Sequence, residues 1–215
     1  MKPSSAPRRG FHHRLAFVAL AGAFVARTAA AEHAARVDEP RPYFVGTSLF
    51  VLANLVPSDE PPGFYQLNLG RRLTPSDSLS LELVTWKYYR PLGIPWGSGR
   101  ESDDKKYPGF IREYGGGPAY QRFLWKGSYV SLSALSFWRQ YYDTNDRKLG
   151  DGFQLFMTLR LGYHFCFLER LFVEPNVAFT AWPVKTNVPE GFAVQDRRWP
   201  SYFLFEPGLH VGVEL

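Results

Sequence analysis

The sequence predicts an all-β fold, an eight-stranded antiparallel up-and-down β-barrel, on the basis of two observations. Apolar and polar residues alternate in eight successive stretches, as they do in strands whose side chains point to opposite faces. The connections between these stretches are alternately long and very short. Each stretch is also long enough to cross a bilayer as a tilted strand, which needs about 9 to 11 residues. The eight predicted strands are residues 43–56, 63–73, 79–90, 114–125, 128–142, 153–167, 171–182 and 201–215.

The alternation of long and short connections predicts where this barrel resides. Bacterial outer-membrane barrels have short periplasmic turns and long external loops. In this chain the connections after the second, fourth and sixth strands are tight, whereas those after the first, third, fifth and seventh are longer. The two longest, 91–112 and 183–200, are therefore expected to face the outside of the cell, where they could bind an extracellular ligand.

The first thirty-one residues predict a cleaved export signal. Basic residues precede the apolar run 15–26, and three alanines at 29–31 fit the small-residue rule for cleavage. The apolar run is too short to span a bilayer as a helix. Removal of this signal leaves 32–42 as a short periplasmic lead-in and 43–215 as the barrel.

The signal also carries the excess positive charge of the chain. Of the 25 Lys and Arg residues, five precede Glu32, whereas none of the 20 Asp and Glu residues do, so 20 of each sign remain. A nearly neutral mature chain lacks the basic surface that nucleic-acid binding requires, so no nucleic acid is expected as a partner. Cys166 is the only cysteine, which excludes an intrachain disulfide. No cofactor or metal site is predicted.

The two faces of the predicted strands differ sharply. In the sixth strand Phe153, Leu155 and Leu159 share one face with other apolar residues, and the opposite face is polar or small apart from Phe156. Either a membrane barrel with its apolar face outward or a secreted lipocalin-like barrel with that face inward could use such strands. Small residues such as Gly162 and Gly208 suit the crowded lumen of an eight-stranded barrel and favour the membrane barrel. Its lumen is expected to be filled by side chains.

Aromatic residues collect near the predicted strand ends. In membrane barrels such residues form girdles at the two lipid–water interfaces. Toward the long loops, this predicted girdle comprises Trp86, Tyr88, Tyr89, Trp138, Tyr141, Tyr142, Trp182 and Tyr202.

Residues 43–215 resemble the small eight-stranded outer-membrane proteins of the OmpA, OmpX and OmpW type. The resemblance lies in the predicted architecture, in the succession of long and short loops, and in the alternation of apolar and polar residues along the strands. The resemblance implies a fold and a location in the cell outer membrane, with lipid, lipopolysaccharide and the barrel-assembly machinery as partners. It implies no activity. Such barrels usually end in an aromatic residue that the assembly machinery reads, whereas this chain ends in Leu215.

Four charged residues are predicted to meet in the middle of the lumen. By alternation they all face inward, at similar heights above the short turns, and buried charges must be paired. Arg160 is the expected centre, because its planar guanidinium can bind several carboxylates. The favoured interpretation is a structural salt-bridge plug, and the alternative is a gated proton or ion path. The predicted cluster is Glu82, Arg160, Glu174 and Glu206, with Arg139, His164 and His210 as further polar lumen residues.

Pro175 and Pro207 each follow one of these glutamates directly. Because proline cannot donate to a strand ladder, the pair predicts a shared irregularity between the seventh and eighth strands.

The histidines leave an enzymatic alternative open. Outer-membrane lipid A hydrolases use a Ser, a His and a carboxylate as a base-activated nucleophile. Here no His-x-Ser pattern occurs, and His164 and His210 are both expected near the periplasmic end, away from lipid A. We therefore predict no catalytic residues and a structural or surface-loop binding role. A lipid A-modifying enzyme and a carrier of small apolar molecules through a lateral opening remain the alternatives.

Overall fold

Nine strands form one antiparallel sheet that closes into a ring. A computed structural model describes residues 41–97, 99–100 and 102–215. The predicted signal peptide and most of the predicted lead-in lie outside the described residues. The strands are β1 Tyr43–Ser48, β2 Tyr65–Arg72, β3 Asp77–Tyr88, β4 Phe110–Trp125, β5 Ser128–Tyr142, β6 Lys148–Tyr163, β7 Phe165–Phe167, β8 Leu171–Thr186 and β9 Tyr202–Glu214.

The pairing follows the order of the chain. Each strand is antiparallel to the next, and β1 pairs with β9 to close the ring. Strands β6 and β7 are two parts of one ring position, because both pair with β8 and only His164 separates them. Eight strands therefore form the ring in up-and-down order, which confirms the all-β, barrel-like fold. We call the end with the tight turns 73–76, 126–127 and 168–170 the turn end, and the opposite end the loop end.

The wall of the ring is uneven at the loop end. Strand β5 has the predicted bounds, but β4 begins at Phe110, β6 begins at Lys148 and β8 ends at Thr186, all farther toward the loop end than predicted. The predicted first strand, 43–56, is wrong in its second half. There β1 ends at Ser48 and a 3-10 helix, Leu49–Leu55, takes its place.

Local sequence explains this early end of β1. After Ser48 the residues LFVL are all apolar, so the two-residue alternation of a strand is lost. The Ser48 hydroxyl accepts a hydrogen bond from the Phe50 N–H at 3.2 Å and so caps the helix. We call Leu49–Leu55 the 3-10 segment.

Two further helical elements lie in the two longest loops. They are a second 3-10 turn, Asp103–Lys105, and a short helix α1, Glu190–Asp196.

The apolar face of the sheet points outward. Polar side chains are buried in the lumen, among them Glu82, Ser131, Ser133 and Thr158. This orientation is opposite to that of a lipocalin-like barrel. Large apolar residues that remain exposed on the outside include Leu69, Leu81, Leu83, Leu132, Met157, Leu159, Leu161, Val177 and Leu209.

The aromatic residues of the predicted girdle are divided between the two faces. Trp138 and Tyr202 are exposed on the outside, as expected. Tyr88, Tyr141 and Trp182 are buried instead, so their assignment to the girdle is wrong. Along β8, Trp182 continues the inward positions Ala178 and Thr180, and nearness to a strand end does not override this alternation.

Pro175 and Pro207 lie where the ladder lacks one partner. Pro175 pairs with Leu209 of β9, and on its other side it lies opposite the interruption between β6 and β7. Pro207 pairs with Val177, and β1 does not reach it. The register of β8 and β9 shifts beside Pro207, between Ala178 and Thr180, which agrees with the predicted irregularity.

Within the described residues, no helix combines the length and apolar character needed to cross a membrane.

Candidate functional site

A fully buried ion pair closes the loop end of the lumen. Arg139 on β5 is 1% exposed and Glu113 on β4 is 0% exposed. The Nε of Arg139 lies 2.8 Å from Oε1 of Glu113. The Tyr88 hydroxyl joins them, because it donates to Glu113 at 2.7 Å and accepts from Arg139 at 2.7 Å. Trp86 donates its indole N–H to the second carboxylate oxygen of Glu113.

Helix α1 folds down over this pair. Its Phe192 side chain is 1% exposed and packs against Tyr107 and Tyr141, with ring centroids 5.0 and 5.1 Å apart. The Tyr107 hydroxyl donates to Asp196, the last residue of α1, and burial together with this carboxylate raises the pKa of Tyr107 well above its ordinary value. Lys185 reaches the same carboxylate at 2.6 Å. The loop end is thus closed by side chains that lock α1 in place.

The middle of the lumen holds a second ion pair. Arg160 donates to both oxygens of Glu82, at 2.9 and 3.3 Å, so its guanidinium is engaged in a two-pronged bond. Ser133 lies 3.4 Å from the same guanidinium. Glu206 lies at the same height two strands along, because Arg160 pairs with Ala178 and Ala178 pairs with Glu206, and Arg160 attracts its carboxylate. Within the described residues, however, Glu206 accepts no hydrogen bond.

A third polar group fills the turn end. The His164 ring lies between two carboxylates, with Nδ1 2.8 Å from Glu174 and Nε2 3.5 Å from Glu214. Gln121 donates to Glu174 at 3.0 Å, and Arg72 pairs with Glu214. His164 and Arg72 therefore hold the two carboxylates of this layer between them.

The predicted single cluster is divided between two layers. The structure joins Arg160 to Glu82, as expected, but directs Glu174 to His164 instead of Arg160. His164 lies in the interruption of the sixth ring strand, and this places its ring beside Glu174. His210 contacts Asn176 at 3.0 Å.

Sequence reasoning missed Glu113, which is the partner of Arg139. The predicted fourth strand began at Tyr114, so Glu113 was assigned to an external loop. The alternation does extend backward, because Ile111 and Glu113 are both buried and continue the inward positions of β4. The dense charge of the preceding loop hid this signal.

A cavity of about 500 Å³ lies between the two ion pairs. Volumes of this size hold small organic ligands. Its lining is rich in aromatic residues, and its charged residues are Glu82, Arg100, Arg160 and Glu206. The aromatic residues that line it are Phe50, Phe64, Trp86, Trp96, Phe137, Phe156, Trp182 and Phe203.

The cavity passes through the wall of the ring beside β9. Pro207 and Leu209 point outward, and yet both line the cavity. The reason is that β1 pairs with β9 only at Phe44–Ser48, so the loop-end half of β9 has no strand beside it on this side. The 3-10 segment lies across the resulting gap, and its Leu49 and Phe50 line the cavity.

Both histidines are buried in the lumen. Within the part of the chain that the structure describes, His164 contacts carboxylates, His210 contacts an amide, and neither ring is hydrogen-bonded to a hydroxyl. Among the same residues, no group of three or more His, Cys, Asp or Glu is placed to hold a metal ion.

The fold defines a class of protein, a closed ring of eight antiparallel strands around a partly open lumen. No protein-family model matches the chain, and no curated protein matches it either.

Proposed function

We propose that this chain is an outer-membrane barrel that binds small apolar molecules in its lumen and admits them from the membrane through its wall. The observation that carries the proposal is the aromatic cavity that extends between β9 and the 3-10 segment. A lumen filled only by side chains would leave no such volume. A pore would instead need openings at the two ends.

Three features support a location in the outer membrane. The outside of the sheet is apolar, the ring leaves no free edge over most of its height, and turns at one end are short whereas loops at the other are long. Lipid offers no hydrogen bonds to an unpaired strand, so closure suits a bilayer. The predicted signal peptide, 1–31, would direct export.

Because both ends of the ring are closed by side chains, a ligand would have to enter the cavity through the wall. Arg139, Glu113 and Phe192 close the loop end, and His164 with its carboxylates fills the turn end. At the lateral gap, by contrast, the 3-10 segment has no buried residue, and its apolar Phe50 and Leu52 are about half exposed. An apolar molecule dissolved in lipid would meet apolar side chains there.

A pair of neighbouring substitutions tests this proposal. Ala178 is 6% exposed and lines the cavity, whereas Val177 is 39% exposed on the outside. Ala178→Trp should fill the cavity and abolish binding of decanol, measured by tryptophan fluorescence of the protein in phosphatidylcholine vesicles. Val177→Trp adds the same side chain outside the cavity and should preserve binding. Equal decanol binding by both variants, or none by the unmodified protein, would contradict the proposal.

A surface-loop role is the second candidate. The two longest loops meet at Asp104, whose carbonyl accepts hydrogen bonds from Gln195 at 3.2 Å and Arg198 at 3.1 Å. Together they form one surface that an extracellular ligand or lipopolysaccharide could contact. Loss of a cellular binding activity in Arg198→Ala, with decanol binding unchanged, would favour this second role.

A further inference from the structure

The charges around the cavity point to the chemical class of its ligand. Two arginines, Arg100 and Arg160, and two glutamates, Glu82 and Glu206, line the cavity. Both ends of the Arg160 guanidinium are bound by Glu82. The Glu206 carboxylate, by contrast, has no hydrogen-bonded partner among the described residues.

Arg100, the second arginine of the lining, attracts Glu206. Its guanidinium donates to the Ile94 carbonyl at 3.1 Å and lies over the Trp96 ring at 4.5 Å. It also lies 5.8 Å from the centre of the Phe203 ring. The aromatic wall near Glu206 therefore already accommodates one cation on its ring faces, as cation–π attraction allows.

The position of Glu206 places its carboxylate just inside the lateral gap. Pro207, the next residue, lines the cavity from the outward face, and Ala178 opposite Glu206 is a small residue that leaves space. A molecule that entered between β9 and the 3-10 segment would meet this carboxylate at the start of the cavity. The aromatic rings would surround the rest of it.

From these observations we propose that the ligand is an amphiphilic amine, whose ammonium group binds Glu206 and whose apolar body occupies the aromatic cavity. This inference rests on the proposed function and names its ligand class. An ammonium group donates to the carboxylate and interacts with ring faces, whereas a carboxylate head would be repelled by Glu206. An alcohol could also donate a hydrogen bond to the carboxylate, but it carries no positive charge and so forms no ion pair with Glu206.

Three probes with one chain length test the head group. Decylamine, decanol and decanoate are titrated against the protein in phosphatidylcholine vesicles, with tryptophan fluorescence as readout. Comparison of variants with the same probe cancels differences in partitioning into lipid. Glu206→Gln should weaken decylamine binding on the order of ten- to hundred-fold, because a charge-assisted hydrogen bond is lost. Decanol binding should change by less than about three-fold, since it depends mainly on the apolar lining.

Glu174→Gln is the matched control. It removes a negative charge from the lumen, but Glu174 does not line this cavity. Each variant is first checked for folding by its migration on gels before and after boiling. Decylamine binding that is unchanged in Glu206→Gln, or weakened equally in Glu174→Gln, would overturn the inference. Equal loss of decylamine and decanol in Glu206→Gln would overturn it as well. If none of the probes binds the unmodified protein, the proposed function itself fails.

Discussion

At the scale of single residues, Arg160 shows how the lumen accommodates a buried charge. Its two-pronged contact with Glu82 satisfies the guanidinium on the side that faces β3, while Ser133 approaches the same group from β5. A buried ion pair adds little stability compared with apolar residues, but removal of one partner is costly because the other charge is left alone. Specific pairing therefore matters more here than the number of charges.

A double-mutant cycle checks this pairing. Arg160→Met should destabilise the barrel by about 3 to 5 kcal/mol, because Glu82 loses its counter-charge. Addition of Glu82→Gln should recover much of the loss, whereas addition of Glu174→Gln should not, since Glu174 pairs with His164. Equilibrium unfolding in denaturant measures each variant. Stronger coupling of Arg160 to Glu174 than to Glu82 would contradict the two-layer arrangement.

The outward and inward faces of β8 give a second residue-level prediction. Val177→Arg should cost about 2 to 4 kcal/mol of stability near the middle of a bilayer, because the guanidinium would be forced into lipid. Leu159→Arg on β6 should reduce stability by a similar amount for the same reason. Ala178→Thr, next to Val177 but inside the ring, should cost much less. The same unfolding assay in lipid applies, and a ring that lies in water would tolerate all three substitutions.

Residue-level prediction from the sequence succeeded where alternation was uninterrupted. It placed Glu82, Arg160 and Glu206 in the lumen, because the two-residue alternation holds from each of them toward the turn end. It missed the Arg139–Glu113 pair, since charged loop residues obscured the start of β4. Cross-strand distances depend on register, and register cannot be read from one strand alone.

At the scale of elements, the 3-10 segment is the most consequential departure from a regular barrel. On the β2 side Asn54 donates to the Phe64 carbonyl at 2.6 Å and accepts from the Phe64 N–H at 2.9 Å. The rings of Phe50 and Phe64 also pack with centroids 5.0 Å apart. On the other side the segment packs against β9. Side-chain hydrogen bonds to Phe64 together with apolar packing toward β9 suit a flap over the lateral gap.

Weaker attachment of the 3-10 segment should speed the entry of apolar molecules into the cavity. Asn54→Ala removes both hydrogen bonds to Phe64, so the 3-10 segment should open more often and decanol should associate faster. Stopped-flow tryptophan fluorescence measures the rate. Asn145→Ala, in the exposed loop 143–147, is the control and should leave the rate unchanged. An unaltered association rate in Asn54→Ala would argue for another route of entry.

Helix α1 and the longest loop form a second functional element. Residues 104–107 are not a free loop, because Asp104 contacts α1 and the following Arg198, and Lys106 pairs with Glu60 at 2.8 Å. Together, residues 104–107 and α1 form what we call the cap, which covers the loop end of the barrel. Excision of residues 98–106 would therefore disturb this cap. Composition marks this loop as charged, but it does not reveal which charges are paired within the protein.

The cap can be loosened more selectively. Tyr107→Phe removes the hydrogen bond to Asp196 and should cost about 1.5 to 3 kcal/mol of local stability, since the acceptor is charged. Limited proteolysis should then cleave loop 187–201 faster. Tyr202→Phe is a suitable control, because Tyr202 is exposed and its hydroxyl makes no hydrogen bond within the described residues. Equal protease resistance of both variants would show that the Tyr107–Asp196 hydrogen bond does not help to hold α1.

At the scale of the whole molecule, the sequence predicted the number, order and direction of the strands. These properties follow from local alternation and from the length of the connections, which are visible in one chain. The cavity was not predicted, because it depends on how far β1 extends and on which aromatic rings turn inward. Both are set by packing across the ring.

Closure of the ring gives a prediction for the intact protein. A closed barrel in detergent should resist unfolding at room temperature and migrate differently on gels before and after boiling, since all strands are paired with neighbours. Cell fractionation should recover it with the outer membrane, with the chain starting near Glu32. Recovery of most of the protein in the soluble periplasmic fraction would contradict the membrane location.

The short seam between β1 and β9 also bears on how the molecule folds. Only Phe44–Ser48 of β1 pair with β9, and the two strands are the most distant in sequence of any neighbours in the ring. Contacts between distant segments carry the largest loop-closure entropy and form slowly. We therefore expect the other seven pairs of neighbouring ring positions to form first, with β1 and β9 as the exposed edges of an open sheet until this seam forms. During that interval the chain would be most prone to aggregate, because unpaired strand edges can join those of another molecule.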